Sequence, residues 1–238
     1  PISFDQKGDR KDAEITMFTM KGGKLEPIAI INRATLAAVL DGIEVVPRVG
    51  RIVAAGRDGF IFDVPRGMVH NCTLRMRDKT AYLGWYPESD SDPRFLGNQV
   101  YGRNPGRNRP IFAVRRTRGS PMIERNRFIG EHRQPKDPRG AWLIFIDNPN
   151  ATVRLNSIFA PAAAFPTGGS PTGVSTLVPI VFARARLMQG NTYTTDVTAR
   201  EPGLAIVYAG PTRTRDEVYR GPARGPRGII RPIHRDAS

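Results

Sequence analysis

Cys72-Thr-Leu-Arg-Met-Arg77 alternates strictly between small or apolar side chains and polar ones. Because successive side chains of a β-strand point to opposite faces, this alternation predicts a strand with one buried and one exposed face. The buried set is Cys72, Leu74 and Met76, and the exposed set is Thr73, Arg75 and Arg77. Cys72, the single cysteine, is therefore predicted to be a small core residue.

Similar strand patterns recur on both sides of this stretch, separated by Gly, Pro and Asn turns. Gly56-Arg57-Asp58-Gly59 is typical of a tight turn and predicts a β-hairpin whose second strand covers residues 60–64. The other candidate strands are 43–46, 49–54, 80–86, 111–115, 141–146, 152–159, 176–182, 183–188, 192–198 and 204–209. We find no internal repeat and no alternation of strands with helices. The pattern predicts a mainly β fold, an antiparallel β-sandwich or barrel.

One short helix is predicted over residues 32–42. Asn32 is a favourable N-cap, and Gly42 is a favourable C-terminal stop. Between them, Leu36, Val39 and Leu40 share one helical face.

The chain is predicted to divide into a polar N-terminal arm or edge segment (1–24), a β-rich body (25–210) and a basic C-terminal arm (211–238). The body carries a basic, irregular insertion at about 87–140, rich in Pro and Gly. In the arm, proline at positions 211, 222, 226 and 232 predicts an extended segment that forms neither a regular sheet nor a helix.

The charge is strongly positive. The net charge is +14, the sequence pI is about 10.8, and 30 of the 36 basic residues are arginine. Guanidinium groups bind phosphates and carboxylates through paired hydrogen bonds, so this composition predicts a polyanionic partner or acidic neighbouring subunits. A bias in nucleotide composition explains the ratio of Arg to Lys equally well, but it does not explain the net charge.

Basic residues are densest between residues 94 and 139, where eleven arginines and Lys136 face three acids. Tyr101, Phe112 and Phe128 interleave with them, as stacking on single-stranded bases would require. The alternative is that these aromatics belong to the core and the arginines are solvated or pair with a neighbouring subunit. The residues predicted to contact a polyanion or partner are Arg103, Arg107, Arg109, Arg115, Arg116, Arg118, Arg125 and Arg127.

The C-terminal arm contains three Arg-Gly dipeptides followed by an isoleucine cluster. Arg-Gly segments bind nucleic acid without sequence preference, whereas isoleucines favour an arm that lies on a neighbouring subunit. The predicted contact residues are Arg220, Arg224, Arg227, Ile229, Ile230 and Arg231.

Catalytic and metal-binding patterns are lacking in the sequence. His70, His132 and His234 are isolated, and Lys21-Gly-Gly-Lys24 lacks the flanking residues of a phosphate-binding loop. Asp147 follows an apolar run, where a strand-end catalytic carboxylate would lie, although Asp147-Asn148-Pro149 is also ordinary turn chemistry. We therefore predict no enzyme, no metal and no cofactor, with a hydrolase using Asp147 as the weakest alternative.

The leading hypothesis is a non-enzymatic structural protein of a large assembly. A virus or phage particle component, such as a capsid, cement, connector or tail protein, fits a β-rich body with basic arms. Its partners would be copies of itself, other subunits, and DNA or RNA held by non-specific phosphate contacts. The alternative is a nucleic-acid-binding protein, including a ribosome-associated one. No apolar stretch is long enough to span a membrane and the first residues lack an apolar signal segment, so we predict no secretion by a cleavable signal. With the assembly hypothesis, the expected location is a virion, or otherwise the cytoplasm.

Overall fold

A computed structural model describes residues 14–21, 24–32, 37–41, 44–45, 59–62, 66–77, 80–83, 92–103, 110–115, 118–130, 143–161, 177–197, 203–222 and 229–235. These residues form strands, turns and short connections, and none of the described ranges contains a helix. In chain order the strands are β1 (Glu14–Lys21), β2 (Lys24–Asn32), β3 (Ala37–Asp41), β4 (Glu44–Val45), β5 (Gly59–Phe62), β6 (Arg66–His70), β7 (Thr73–Arg77), β8 (Thr80–Leu83), β9 (Arg94–Leu96), β10 (Gln99–Arg103), β11 (Phe112–Val114), β12 (Met122–Glu124), β13 (Arg127–Gly130), β14 (Ile144–Arg154), β15 (Ser157–Ala160), β16 (Leu177–Gln189), β17 (Thr192–Thr195), β18 (Gly203–Ala209), β19 (Arg213–Arg215), β20 (Val218–Arg220) and β21 (Ile230–Arg235).

Parallel strands stack into three ladders, which we call faces 1, 2 and 3. Face 1 contains β3, β6, β9, β12, the C-terminal parts of β14 and β16, and β19. Face 2 contains β4, β7, β10, β13, β15, β17 and β20. Face 3 contains β5, β8, β11, the N-terminal parts of β14 and β16, β18 and β21.

The chain therefore winds as a parallel β-solenoid that passes through face 3, face 1 and face 2 in each coil. Six complete coils run from β5–β7 to β18–β20, and each advances along the axis by the strand spacing of about 4.8 Å. At the N-terminal end, β1, β2 and β3 pair antiparallel and extend face 1. At the other end, the outermost described strands are β19, β20 and β21. We call these residues (213–215, 218–220 and 230–235) the C-terminal rim.

The core is the interior of the solenoid, filled from all three faces. Phe95 on face 1 lies 4.9 Å, between ring centroids, from Phe112 on face 3, and Phe112 lies 5.0 Å from Phe128 on face 2. All three rings are buried, and burying one large apolar side chain contributes about 1.5–3 kcal/mol. The prediction for residues 72–77 is confirmed on its inward side, because Cys72, Leu74 and Met76 are buried in this core.

The predicted antiparallel sandwich or barrel is wrong. From β3 onward, strands that follow each other in the chain lie on different faces, and each pairs in parallel with the strand one coil away. Antiparallel pairing is confined, among the described strands, to β1, β2 and β3. The segment expected to close a hairpin, β5, pairs in parallel with β8. Alternating burial and turn residues are common to hairpins and solenoid coils, so these local patterns identified strands but not their partners.

Two further predictions are wrong for the same physical reason, which is that non-local pairing overrides local preference. Residues 37–41 of the predicted helix form β3, which pairs with both β2 and β6. The C-terminal segment does contribute to the sheets, through β19, β20 and β21. The coils are a structural repeat, although no repeat was found in the sequence. The proposed division into arms and body remains a prediction.

Candidate interaction surface at the C-terminal rim

Every described passage from face 1 to face 2 is a corner of two residues. The first residue has a positive φ, between 54° and 63°, which bends the chain sharply. These first residues are Asn71, Gly97, Arg125, Leu155, Gly190 and Asp216. The second residues are Cys72, Asn98, Asn126, Asn156, Asn191 and Glu217, of which the first five are buried. One column of mostly amide side chains therefore runs through the interior.

The asparagines of this column form a hydrogen-bonded ladder with a direction. The ladder begins where the backbone N–H of Cys72 donates to Asn98 Oδ1 at 2.9 Å. Asn126 Oδ1 then accepts the backbone N–H and the side-chain amide of Asn98, at 2.9 and 3.0 Å. The Asn126 amide in turn donates to Asn156 Oδ1, and the Asn156 amide donates to Asn191 Oδ1, each at 2.9 Å. Because each amide both accepts and donates, every coil passes a donor to the next one.

Glu217 ends the ladder. Its Oε1 accepts the backbone N–H and the side-chain amide of Asn191, at 3.0 and 2.9 Å. Its Oε2 accepts the hydroxyls of Tyr193 and Tyr208, at 2.6 and 3.2 Å. An ionised carboxylate accepts hydrogen bonds and donates none, so the chain of donors stops at this residue.

A tyrosine cluster surrounds the Glu217 carboxylate. The hydroxyls of Tyr208 and Tyr219 are 2.9 Å apart, and the ring centroids of Tyr193 and Tyr219 are 5.3 Å apart in a stacked arrangement. Burial raises the pKa of Glu217, while the hydrogen bonds from Tyr193 and Asn191 act in the opposite direction. Burial also raises the pKa values of Tyr193, Tyr208 and Tyr219, so the phenols stay protonated as donors. The cluster fixes β20 to the coil below it.

Thr212 fixes the first end of β19, which is the end away from the 216–217 corner. Its hydroxyl lies 2.7 Å from the Ala209 carbonyl oxygen and 3.1 Å from that of Ala183, and these two share its proton. The same oxygen accepts the backbone N–H of Ala185 at 3.0 Å. β19 is therefore held at both ends, by Thr212 and by Glu217.

Exposed arginines project from all three strands of the C-terminal rim. β19 contributes Arg213 and Arg215, and β20 contributes Arg220. β21 contributes Arg231 and Arg235. Arg215 Nε lies 3.2 Å from Asp216 Oδ2, and Glu217, the next residue, is partly buried. The rim is thus strongly basic.

The arginines predicted from the 94–139 stretch do not converge on one patch. Arg115, Arg118, Arg125 and Arg127 are exposed but are distributed around the perimeter of the β11–β13 coil. Arg125 Nη1 lies 3.1 Å from Glu124 Oε1, and the Arg115 guanidinium carbon lies 5.3 Å from the Tyr82 ring centroid. Only the backbone of Arg103 is described, at the end of β10. Arg107, Arg109 and Arg116 lie outside the described residues.

The aromatics interleaved with those arginines have other roles. Phe112 and Phe128 are in the core, and the Arg75 guanidinium carbon lies 4.9 Å from the ring centroid of the half-buried Tyr101. The two buried phenylalanines are therefore unavailable for stacking on bases.

The residues predicted for the C-terminal arm fall into two groups. Arg220 and Arg231 are exposed on the rim, whereas Ile229 and Ile230 are only 4% and 5% exposed because they pack into the chain's own core. The two isoleucines are thus not available to a neighbouring subunit. Arg224 and Arg227 lie outside the described residues.

Asp147 lies within β14 and not at a strand end. Its Oδ1 accepts Arg184 Nε at 2.7 Å, and a second guanidinium nitrogen of Arg184 also contacts it. A bend in β14 follows directly, where Asn148 Oδ1 accepts the Asn150 N–H at 2.9 Å. Asp147 is therefore one half of an ion pair between adjacent strands of face 3.

Other classes of site leave few traces in the described ranges. No three His, Cys, Asp or Glu side chains come together there as a metal site. The described residues also contain no helix long and apolar enough to cross a membrane. The β-sandwich predicted for a virion component is wrong, and the solenoid fold gives no support to a capsid, phage or virion setting.

Sequence reasoning missed the ladder, although a signal exists. A positive-φ residue followed by Asn, one variable residue and an apolar residue occurs as Gly97-Asn-Gln-Val100, Arg125-Asn-Arg-Phe128, Leu155-Asn-Ser-Ile158 and Gly190-Asn-Thr-Tyr193. The asparagines stand at positions 98, 126, 156 and 191, so their spacing is irregular. A search for a fixed period therefore does not detect them.

Comparison with known proteins adds no family to this description: no family model matches the chain, and no curated protein or solved structure is significantly similar to it.

Proposed function

We propose that the chain is a non-enzymatic structural subunit of a larger assembly, attached through its C-terminal rim to an anionic partner. The observation that carries this proposal is the exposure of five arginines on the C-terminal rim, whose three strands are the outermost described ones. Arginine is suited to this role because its guanidinium group pairs with carboxylates and phosphates in fixed geometry.

The solenoid supports such a role mechanically. Each coil is hydrogen-bonded to its neighbours along three faces and through the asparagine ladder. Bonding of this kind holds successive coils in fixed register, so a contact at the rim is transmitted to the whole rod. The positions of the rim arginines are set by the same parallel register.

The test is the size of the native species in a lysate of the source cells, with three rim arginines replaced (R213S, R220S and R231S). A matched control replaces three exposed arginines of earlier coils (R94S, R118S and R127S). We expect the original chain and the control to elute in a large complex that high salt dissociates, because contacts between charges weaken with ionic strength. The rim variant should elute as the isolated chain.

The outcomes separate the alternatives. If the original chain elutes alone at every salt concentration, the assembly proposal fails. If nuclease treatment releases the chain from the complex, the nucleic-acid-binding alternative replaces it. That alternative also requires a steep fall in affinity with salt, with a log-log slope of about 0.7–0.9 per phosphate contact.

A further inference from the structure

We infer that the exposed edge of β19 binds an extended acidic polypeptide segment, which adds to face 1 as its next strand. This inference rests on the proposed function and specifies the chemistry of the partner. It requires an available strand edge, positive charges at the spacing of a strand, and a rigid platform.

The strand edge is available within the described residues. β19 pairs with β16 on one side, and no described strand pairs with its other side. All three of its residues are exposed. An edge with unpaired N–H and C=O groups is the usual acceptor of an added strand, because backbone hydrogen bonds supply much of the affinity.

The charges match an extended acidic chain. Arg213 and Arg215 align with Leu187 and Gln189 of β16, and both belong to the outward rows of face 1. Residues two apart on a strand are separated by about 6.8 Å along it. An added strand with carboxylates at alternate positions would place them on the same side and at the same spacing as these two guanidinium groups.

The platform is rigid before a partner arrives. The Thr212 hydroxyl fixes one end of β19, and the Glu217 carboxylate fixes the other end through Asn191 and Tyr193. A strand that is already ordered loses less conformational entropy on binding, which favours the addition of a segment.

A further copy of this solenoid fits the rim less well. Within the chain, each asparagine passes its amide to the next corner, but both oxygens of Glu217 are occupied and the carboxylate has no donor to pass on. β21 carries Pro232, which lacks an N–H, between Arg231 and Arg235. Proline and like charges on an edge are features that oppose strand pairing. An acidic segment at β19 needs no donor from Glu217, does not pair with Pro232 and carries the charge opposite to that of the arginines.

The experiment measures binding of a labelled eight-residue peptide in which Thr and Glu alternate. Two further peptides carry N-methyl groups on the odd or on the even backbone amides. Strand addition uses one set of amides, so we expect one methylated peptide to lose binding at least tenfold and the other to lose less than about threefold. The R213S/R215S variant should lose at least tenfold, and the R94S/R127S control less than about twofold.

Protection of the β19 amides from hydrogen exchange by the peptide supplies a second readout. The inference is overturned if both methylated peptides bind as well as the parent peptide. It is also overturned if polyphosphate of equal charge displaces the parent and both methylated peptides equally well. It is also overturned if the chain without peptide sediments as an oligomer and the R213S/R215S variant sediments as a monomer, because a second copy would then occupy the rim. If the peptide does not bind but the rim variant still elutes as the isolated chain and not in the native complex, the inference falls and the proposed function stands. If neither the lysate complex nor any anion depends on the rim, both fall.

Discussion

Asn156 and Glu217 occupy the same corner of different coils, but only the first of these two side chains donates a hydrogen bond onward. Asn156 accepts from the coil before it and donates to the coil after it, so the ladder continues. Glu217 accepts from four donor groups and donates to none. A carboxylate at this corner therefore accepts from the preceding coil as an amide does, but it offers no donor to a following one.

The largest effect should come from truncating the middle of the ladder. Asn156→Ala removes the acceptor of the Asn126 backbone N–H and of one Asn126 amide hydrogen, and it removes the amide donor to the Ile123 carbonyl and to Asn191 Oδ1, in a site closed to water. We expect a loss of about 3–5 kcal/mol in the free energy of unfolding, since several buried polar groups lose their hydrogen bonds at once. Chemical denaturation measures it.

The same truncation at the rim is the matched control. Glu217→Ala should lose about 1–3 kcal/mol, because water reaches this partly exposed corner and replaces some of the lost hydrogen bonds. Equal losses at the two positions would contradict the distinction between a continuing corner and a terminal one.

A smaller effect should appear as a dependence on pH. Because burial raises the pKa of Glu217 above its ordinary value of 4.5, the folded state favours the protonated carboxyl. This contribution to stability is fully present below pH 4.5 and is lost as the pH rises through the folded-state pKa. Glu217→Gln cannot ionise, so its stability relative to the original chain should be higher at pH 7 than at pH 4. Denaturation curves at the two pH values measure the difference, and a reversed sign would contradict the role of burial.

The smallest effect concerns the residue that precedes each ladder position. Leu155 has φ 56° and is 49% exposed, so it holds a left-handed conformation with little packing in return. Leu155→Gly should therefore raise the free energy of unfolding by up to about 1 kcal/mol. Gly190→Ala is the opposite change at an equivalent corner, where φ is 62° and an added Cβ would lie 3.0 Å from Leu155 Cδ2. It should destabilise the fold, and thermal denaturation of both variants tests the pair.

The sequence predicted the strands far better than their arrangement. Alternation in residues 72–77 correctly assigned the buried side chains, and the patterns at 111–115 and 204–209 lie over β11 and β18. These signals report local burial, which is the same in a hairpin and in a solenoid coil. Parallel pairing joins residues about one coil apart, and no local pattern encodes that distance.

The candidate site was predicted in part. Arg220 and Arg231 were identified as contact residues, and the structure places both on the rim. Arg213, Arg215 and Glu217 were missed, because a count of charge cannot reveal which strands form an end. Ile229 and Ile230 were interpreted as surface residues, since proline at 226 and 232 suggested an arm instead of a strand.

The two-residue corner also determines where the chain tolerates changes in length. All six described corners from face 1 to face 2 contain two residues, whereas connections from face 2 to face 3 vary from two residues between β7 and β8 to sixteen between β15 and β16. An inserted residue at a corner would turn the ladder side chain toward solvent and shift every strand that follows. A sequence grafted between faces 2 and 3 leaves the winding intact, so that side of the rod can acquire new loops without refolding the rest.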